Sequence, residues 1–197
     1  MQVSACKIRR GEVTVFHFVR ILHNGMIDGT VTPIPSKGLT RVGFLLKTFM
    51  PLTDILSRYL RPTEEALADA AFFEKSTALM LRVIAAAVVC IGNEDAVGRA
   101  SASYITDGAI RLVIDGKAPL THTVICKEHK LFLSEKDGET PMTSYMRFDD
   151  IRTARDLFDG RLNAVAAVGM GKVRVGGMIS QVDNVNRILD RVALYLA

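Results

Sequence analysis

Three observations along the chain predict an α+β fold. Helical spacing of apolar residues dominates from Leu39 to Ile91, and a run of short β-rich segments separated by Asp-Gly turns follows. Helical segments then return around one last short strand near the C-terminus. Strands joined by tight turns, with helices massed before and after them, predict an antiparallel sheet of about five strands with helices on one face.

The elements follow in order. Glu12 to Leu22 alternates loosely and is rich in Val and Phe, which reads as a strand, and Asn24-Gly25 and Asp28-Gly29 are turn signals. Pro33 and Pro35 disfavour helix in themselves and in the residues before them, so Thr30 to Gly38 reads as an extended connector. From there Val42, Leu45, Leu46 and Phe49, then Leu52, Ile55, Leu56, Tyr59 and Leu60, recur at helical spacing, with Pro51 opening a second helix in its first turn. Thr63 is placed to cap a helix whose first turn holds Glu64 and Glu65, and that helix is expected to run to Ile91 and stop at Gly92. Strands are expected at 100–106, 109–114, 121–126, 130–134 and 143–148, punctuated by Asp107-Gly108, Asp115-Gly116 and Asp137-Gly138, with a further strand at 172–175.

Composition is globular, with 49% apolar and 23% charged residues. The net charge of +4 is uneven. Residues 1–61 hold nine Lys and Arg against three acids, whereas the remaining residues hold sixteen against eighteen. This asymmetry divides the chain into a basic N-terminal extension, 1–61, and a main domain, 62–197. It also points to an anionic partner, with a membrane surface ahead of nucleic acid, since there is no Trp and no nucleic-acid-reading motif. Cys6, Cys90 and Cys126 are odd in number and widely spaced, which argues for a reducing compartment, here the cytoplasm. No leading apolar segment marks a secretory signal. The most apolar run, 78–92, is shorter than the roughly 20 residues that span a bilayer and reads as a buried helix.

Motifs for chemistry do not complete themselves. Gly169-Met170-Gly171-Lys172 lacks the hydroxyl residue and the upstream glycine of a phosphate loop, and Arg174 stands at the third glycine of a dinucleotide fingerprint. His17, His23, His122 and His129 lie at no metal-ligand spacing. Asp149-Asp150 precedes a helical run and reads as a cap rather than an acid–base pair. No nucleophile signature is present. No catalytic residue, metal or cofactor is therefore expected, although an enzyme site assembled from scattered residues such as Asp115, His122 and His129 stays open.

What remains is an apolar inventory. Leu157 and Phe158 precede Leu162, Val165, Val168 and Met170; Val173 and Val175 share one face of a strand; Val182, Val185, Ile188, Leu189 and Val192 make a helical stripe. An ordinary closed core accounts for them, and so does a cavity, whose adaptable walls would suit Met170 and Met178.

Three segments resemble the C-terminal signature of the sterol-carrier-protein lipid-binding family: Asp149-Asp150-Ile151, Leu157-Phe158-Asp159-Gly160-Arg161-Leu162-Asn163 and Met170-Gly171-Lys172-Val173-Arg174-Val175-Gly176-Gly177. The hairpin-rich region from Ala100 agrees in order and length. Ala164 and Val168 depart from the family pattern, and residues 1–60 lie outside the resemblance. The resemblance implies an apolar tunnel between sheet and helices, lined by Phe158, Leu162, Val165, Val168, Met170, Val173, Val175, Met178, Val185, Ile188 and Leu189. It implies non-enzymatic binding or transfer of a sterol, fatty acyl or isoprenoid lipid, or a helper role in a lipophilic pathway such as quinone synthesis. The basic helices at 39–61 would then dock on an anionic membrane. A protein-interaction module gripping its partner with the basic N-terminal third is the competing class.

Overall fold

A computed structural model describes residues 42–137 and 139–196. The strand expected at Glu12 to Leu22, the turns after it and the connector at Thr30 to Gly38 lie outside the described residues. The chain divides into two compact units between Arg58 and Tyr59.

The described part begins with a helical stretch. It comprises α1 (Val42–Phe44), a π-helical turn (Leu45–Phe49) and α2 (Met50–Leu60). The widened turn ends just before Pro51, which has no amide to donate into the preceding turn. Thr63 caps the short α3 (Glu64–Leu67), accepting the Ala66 amide at 3.4 Å. The single long helix expected from here is broken at Asp69. Its carboxylate accepts the amides of Ala71 and Phe72 and starts α4 (Ala70–Glu94) afresh.

Among the described residues α4 is the one helix long and apolar enough to cross a membrane. In this structure it is a layer helix: Ser76, Thr77, Met80, Leu81, Ala85, Val88 and Gly92 are buried at three- and four-residue spacing. Asp95 ends it and caps α5 (Ala96–Ala102). The strand expected over 100–106 is thus overturned. Asp95 accepts the amides of Val97 and Gly98 at 3.0 and 2.9 Å, and this cap outweighs the weak β-propensity of Ser-Ala-Ser-Tyr.

Five strands follow within the second unit: β1 (Gly108–Ile114), β2 (Leu120–Lys127), β3 (Lys130–Leu133), β4 (Met142–Phe148) and β5 (Val173–Gly177). Their order in the sheet is β3-β2-β1-β4-β5. The sheet is mixed, which corrects the antiparallel expectation. β1 and β2, β2 and β3, and β4 and β5 are antiparallel, but β4 lies parallel to β1 at the centre. β3 ends at Leu133 and β4 begins at Met142 beside the start of β1, so β4 joins the free side of β1 instead of extending the hairpin series. α6 (Ile151–Phe158), α7 (Ala164–Gly169) and α8 (Ile179–Leu196) complete the element order. Asp150 caps α6 through the Thr153 amide, as expected, and Asn163 caps α7.

Register separates the two faces. Ile110, Leu112, Ile114, Val124, Cys126, Leu131, Phe148 and Val173 share the face covered by helices and make one apolar cluster with Leu81, Ala85 and Val88 of α4 and Val185, Ile188 and Val192 of α8. α4 packs on β2 and β3, α8 on β4 and β5, and the two helices touch each other.

Candidate functional site

The candidate site is the apolar layer between this covered face and α4, α6 and α8. Its residues reach it by strand alternation and helical repeat acting together. On β5, Val173 and Val175 point inward opposite Phe148 and Met146 of β4, while Arg174 between them points out. On α8, Val185, Ile188 and Val192 repeat at three- and four-residue spacing and are all buried, with Ile188 at 0% exposure. Phe148 meets Phe158 of α6 edge-on, ring centroids 5.5 Å apart. Gly92 brings α4 close: a Cβ there would stand 2.4 Å from Leu131 and 3.3 Å from Ile188.

Seven of the residues expected to line a ligand site gather in this layer. Val173, Val185 and Ile188 belong to the buried cluster, and Phe158, Leu162, Val175 and Leu189 pack against it partly buried. The other four do not join them: Val165, Val168, Met170 and Met178 are exposed, Val165 at 81%. Met170 follows the last turn of α7, where Gly171 takes φ 72° to turn the chain into β5, and this turns its side chain outward.

Two polar groups inside the fold were not legible as such in sequence. Gln181, in the first turn of α8, is fully buried. Its Oε1 accepts from the hydroxyls of Thr143 and Ser144, both at 2.8 Å, and its Nε2 donates to the Thr106 carbonyl at 2.9 Å. It tethers α8 to β4 and to the segment before β1. Arg155 of α6 is likewise buried; its Nε donates to Asp159 at 2.9 Å and its Nη1 to Ser76 Oγ at 2.8 Å, and Ser76 donates in turn to the Tyr59 carbonyl. A glutamine or arginine in a helix reads as solvent-facing in a sequence, because only the tertiary partner reveals why it is inside.

The candidates for chemistry remain apart in role. Asp115 pairs with Arg147 at 3.7 Å and Arg174 at 3.3 Å on the outer face, His122 meets Asp137 at 3.3 Å, and His129 sits in the β2–β3 turn. Among the described residues no group of three or more His, Cys, Asp and Glu could hold a metal ion. Burial pushes the Cys126 thiol above its ordinary value of 9.0, the charge of Asp107 adds to the rise, and a hydrogen bond from the His129 backbone partly opposes it. The thiol donates to the Ile105 carbonyl at 3.4 Å, which suits its protonated form.

Comparison with known proteins finds likeness among solved structures. No protein-family model matches the sequence, and neither does any curated protein. Among solved structures, the ubiquinone synthesis protein UbiJ-SCP2 is 15% identical with a TM-score of 0.41, covering 60% of this chain and 96% of its own. Sterol Carrier Protein 2 Like 2 from Aedes aegypti is 14% identical with a TM-score of 0.38, covering 53% and 88%. A possible sterol carrier protein from Thermus thermophilus is 16% identical with a TM-score of 0.38, covering 55% and 82%. The chain is similar to sterol-carrier-protein-type domains.

Proposed function

We propose that the protein binds a lipid with a long apolar body, of sterol, fatty acyl or isoprenoid type, without catalysing a reaction on it, and hands it on at a membrane. The observation that carries this reading is the gathering of Phe158, Leu162, Val173, Val175, Val185, Ile188 and Leu189 in one apolar layer between α8 and the covered sheet face. A lipid parting that layer would bury its chain at about 0.8 kcal/mol per methylene. Affinity of useful size therefore needs no conspicuous polar motif. The sequence resemblance to sterol-carrier domains supports the same reading, and the buried thiol of Cys126 fits a reducing compartment such as the cytoplasm.

The lipid is tested by extracting the natively purified protein with organic solvent and identifying what is released by mass spectrometry. One molecule of lipid per chain is expected. A protein that releases none, and that takes up no fluorescent fatty acyl analogue when offered it, would end the proposal. A helper role in quinone synthesis is the variant in which the released molecule is an isoprenoid quinone precursor, and the same spectrum separates the two.

A further inference from the structure

We propose that the helical stretch of residues 42–60 is an interfacial anchor that lies on an anionic lipid bilayer, with Leu52 and Ile55 entering the headgroup boundary. The proposal takes its purpose from the lipid-binding reading but rests on different residues.

Within α2, Leu52, Ile55, Leu56 and Tyr59 fall at i, i+3, i+4 and i+7 and so share one face. Leu56 and Tyr59 are half-buried, whereas Leu52 is 50% and Ile55 56% exposed, so the earlier part of the face is left in water. Phe44, Leu46 and Met50 ahead of it are exposed as well. None of the described residues of α2 is fully buried. A helix whose apolar face is left half in water gains little there, because most helical stability comes from packing that face.

Charge selects what covers it. Between residues 41 and 61 stand Arg41, Lys47, Arg58 and Arg61 against the single acid Asp54. Lys47 and Arg58 are exposed, each within a turn of the apolar face. Apolar side chains on one face of a helix with cations beside them match the layered structure of a bilayer surface, where acyl chains lie beneath anionic headgroups. Exposed Val165 and Val168 make a second apolar patch on α7, but that six-residue helix carries neither Lys nor Arg of its own to draw it to anionic headgroups.

The chain contains no Trp, so a Leu52→Trp substitution in the full-length protein adds the sole indole. The probe is vesicles of phosphatidylcholine with phosphatidylserine, against vesicles of phosphatidylcholine alone. Expected are a blue shift of the indole emission and quenching by brominated acyl chains on the anionic vesicles only, both reduced by high salt. Adding Lys47→Gln and Arg58→Gln is expected to weaken partitioning about 30-fold, and Ile55→Asp about 10-fold or more. All three positions are exposed, and unchanged circular dichroism and thermal midpoint would show the fold intact. A Val165→Trp protein is the internal control. An unshifted Leu52→Trp indole, equal shifts on neutral vesicles, or a shift at position 165 in its place would each overturn the proposal. Extraction of bound lipid is independent of these readouts, so the anchor can fail while the ligand stands, and the reverse.

Discussion

The two faces of the sheet are built from the same strands and solve opposite problems. On the covered face, most of the alternate residues of β1, β2, β4 and β5 are apolar and close against α4 and α8, with Ser144 bonded to Gln181 among them. On the outer face, Arg111, Tyr145, Arg147 and Arg174 stand among the buried Ala109, Val113 and Thr123, with Asp115 holding two of the arginines and the Thr140 carbonyl accepting from Arg111 at 2.8 Å. Tyr145 lies across the bare backbone of Gly176, where a Cβ would come within 2.7 Å of the ring. The difference teaches that the covered face removes one continuous apolar cluster from water, while the outer face mixes a few small buried side chains with charges held by short-range pairing in partial solvent.

Changes to the two faces should therefore differ in size. Ile188→Ala, at the meeting of α8, α4 and the sheet, is expected to cost about 2–5 kcal/mol in a urea unfolding titration. A loss below about 1 kcal/mol would mean that the layer beneath α8 is already loose. Next comes Gln181→Leu, which leaves the buried Ser144 hydroxyl without its acceptor and the Thr106 carbonyl without its Nε2 donor, while Thr143 keeps the Ala109 carbonyl; about 1–3 kcal/mol should be lost. If chemical denaturation shows no change, the Gln181 tether is dispensable.

Cys126 gives the covered face a pH signature. Its thiol is held protonated by burial, so the folded pKa exceeds that of the unfolded chain. The folded state binds the proton more tightly above 9.0, and stability falls as pH rises past that value. Cys126→Ala should flatten the alkaline limb of a stability–pH curve, and an identical limb in that variant would refute the assignment.

On the outer face, Thr123 is 1% exposed and its hydroxyl has no partner among the described residues. Thr123→Val should raise stability by about 1 kcal/mol, where a covered-face change of similar size would lower it. The smallest effect belongs to Arg174→Ala. Its pair with Asp115 is largely in solvent, so a shift of less than about 1 kcal/mol is expected, diminishing in high salt.

Much of the fold was legible in the residues. The strands from Gly108 onward, the Asp150 cap of α6 and the Gly171 turn into β5 follow from local rules, because each is decided by neighbours within a few positions. The β2–β3 turn was not marked. Glu128 and His129 both take positive φ, at 52° and 60°, without Gly or Asn, and the Asp107 carboxylate accepting the Glu128 amide at 2.8 Å supplies support from outside the hairpin. The candidate site was legible in its inward-facing half only. Val173 and Val185 follow the strand and helix periods, whereas Met170 and Val165 belong to a short helix and its end, whose outward face no periodicity fixes.

By itself the sequence determined the α+β class, the caps, and which side of each strand is apolar, since these rest on spacing, local hydrogen bonding and the alternation of side chains. Tertiary structure alone decided that β4 lies parallel to β1, that Arg155 and Gln181 turn inward, and that Val165 faces water. The reason is that these choices depend on partners dozens of residues away, whose proximity exists only after the chain has closed on itself.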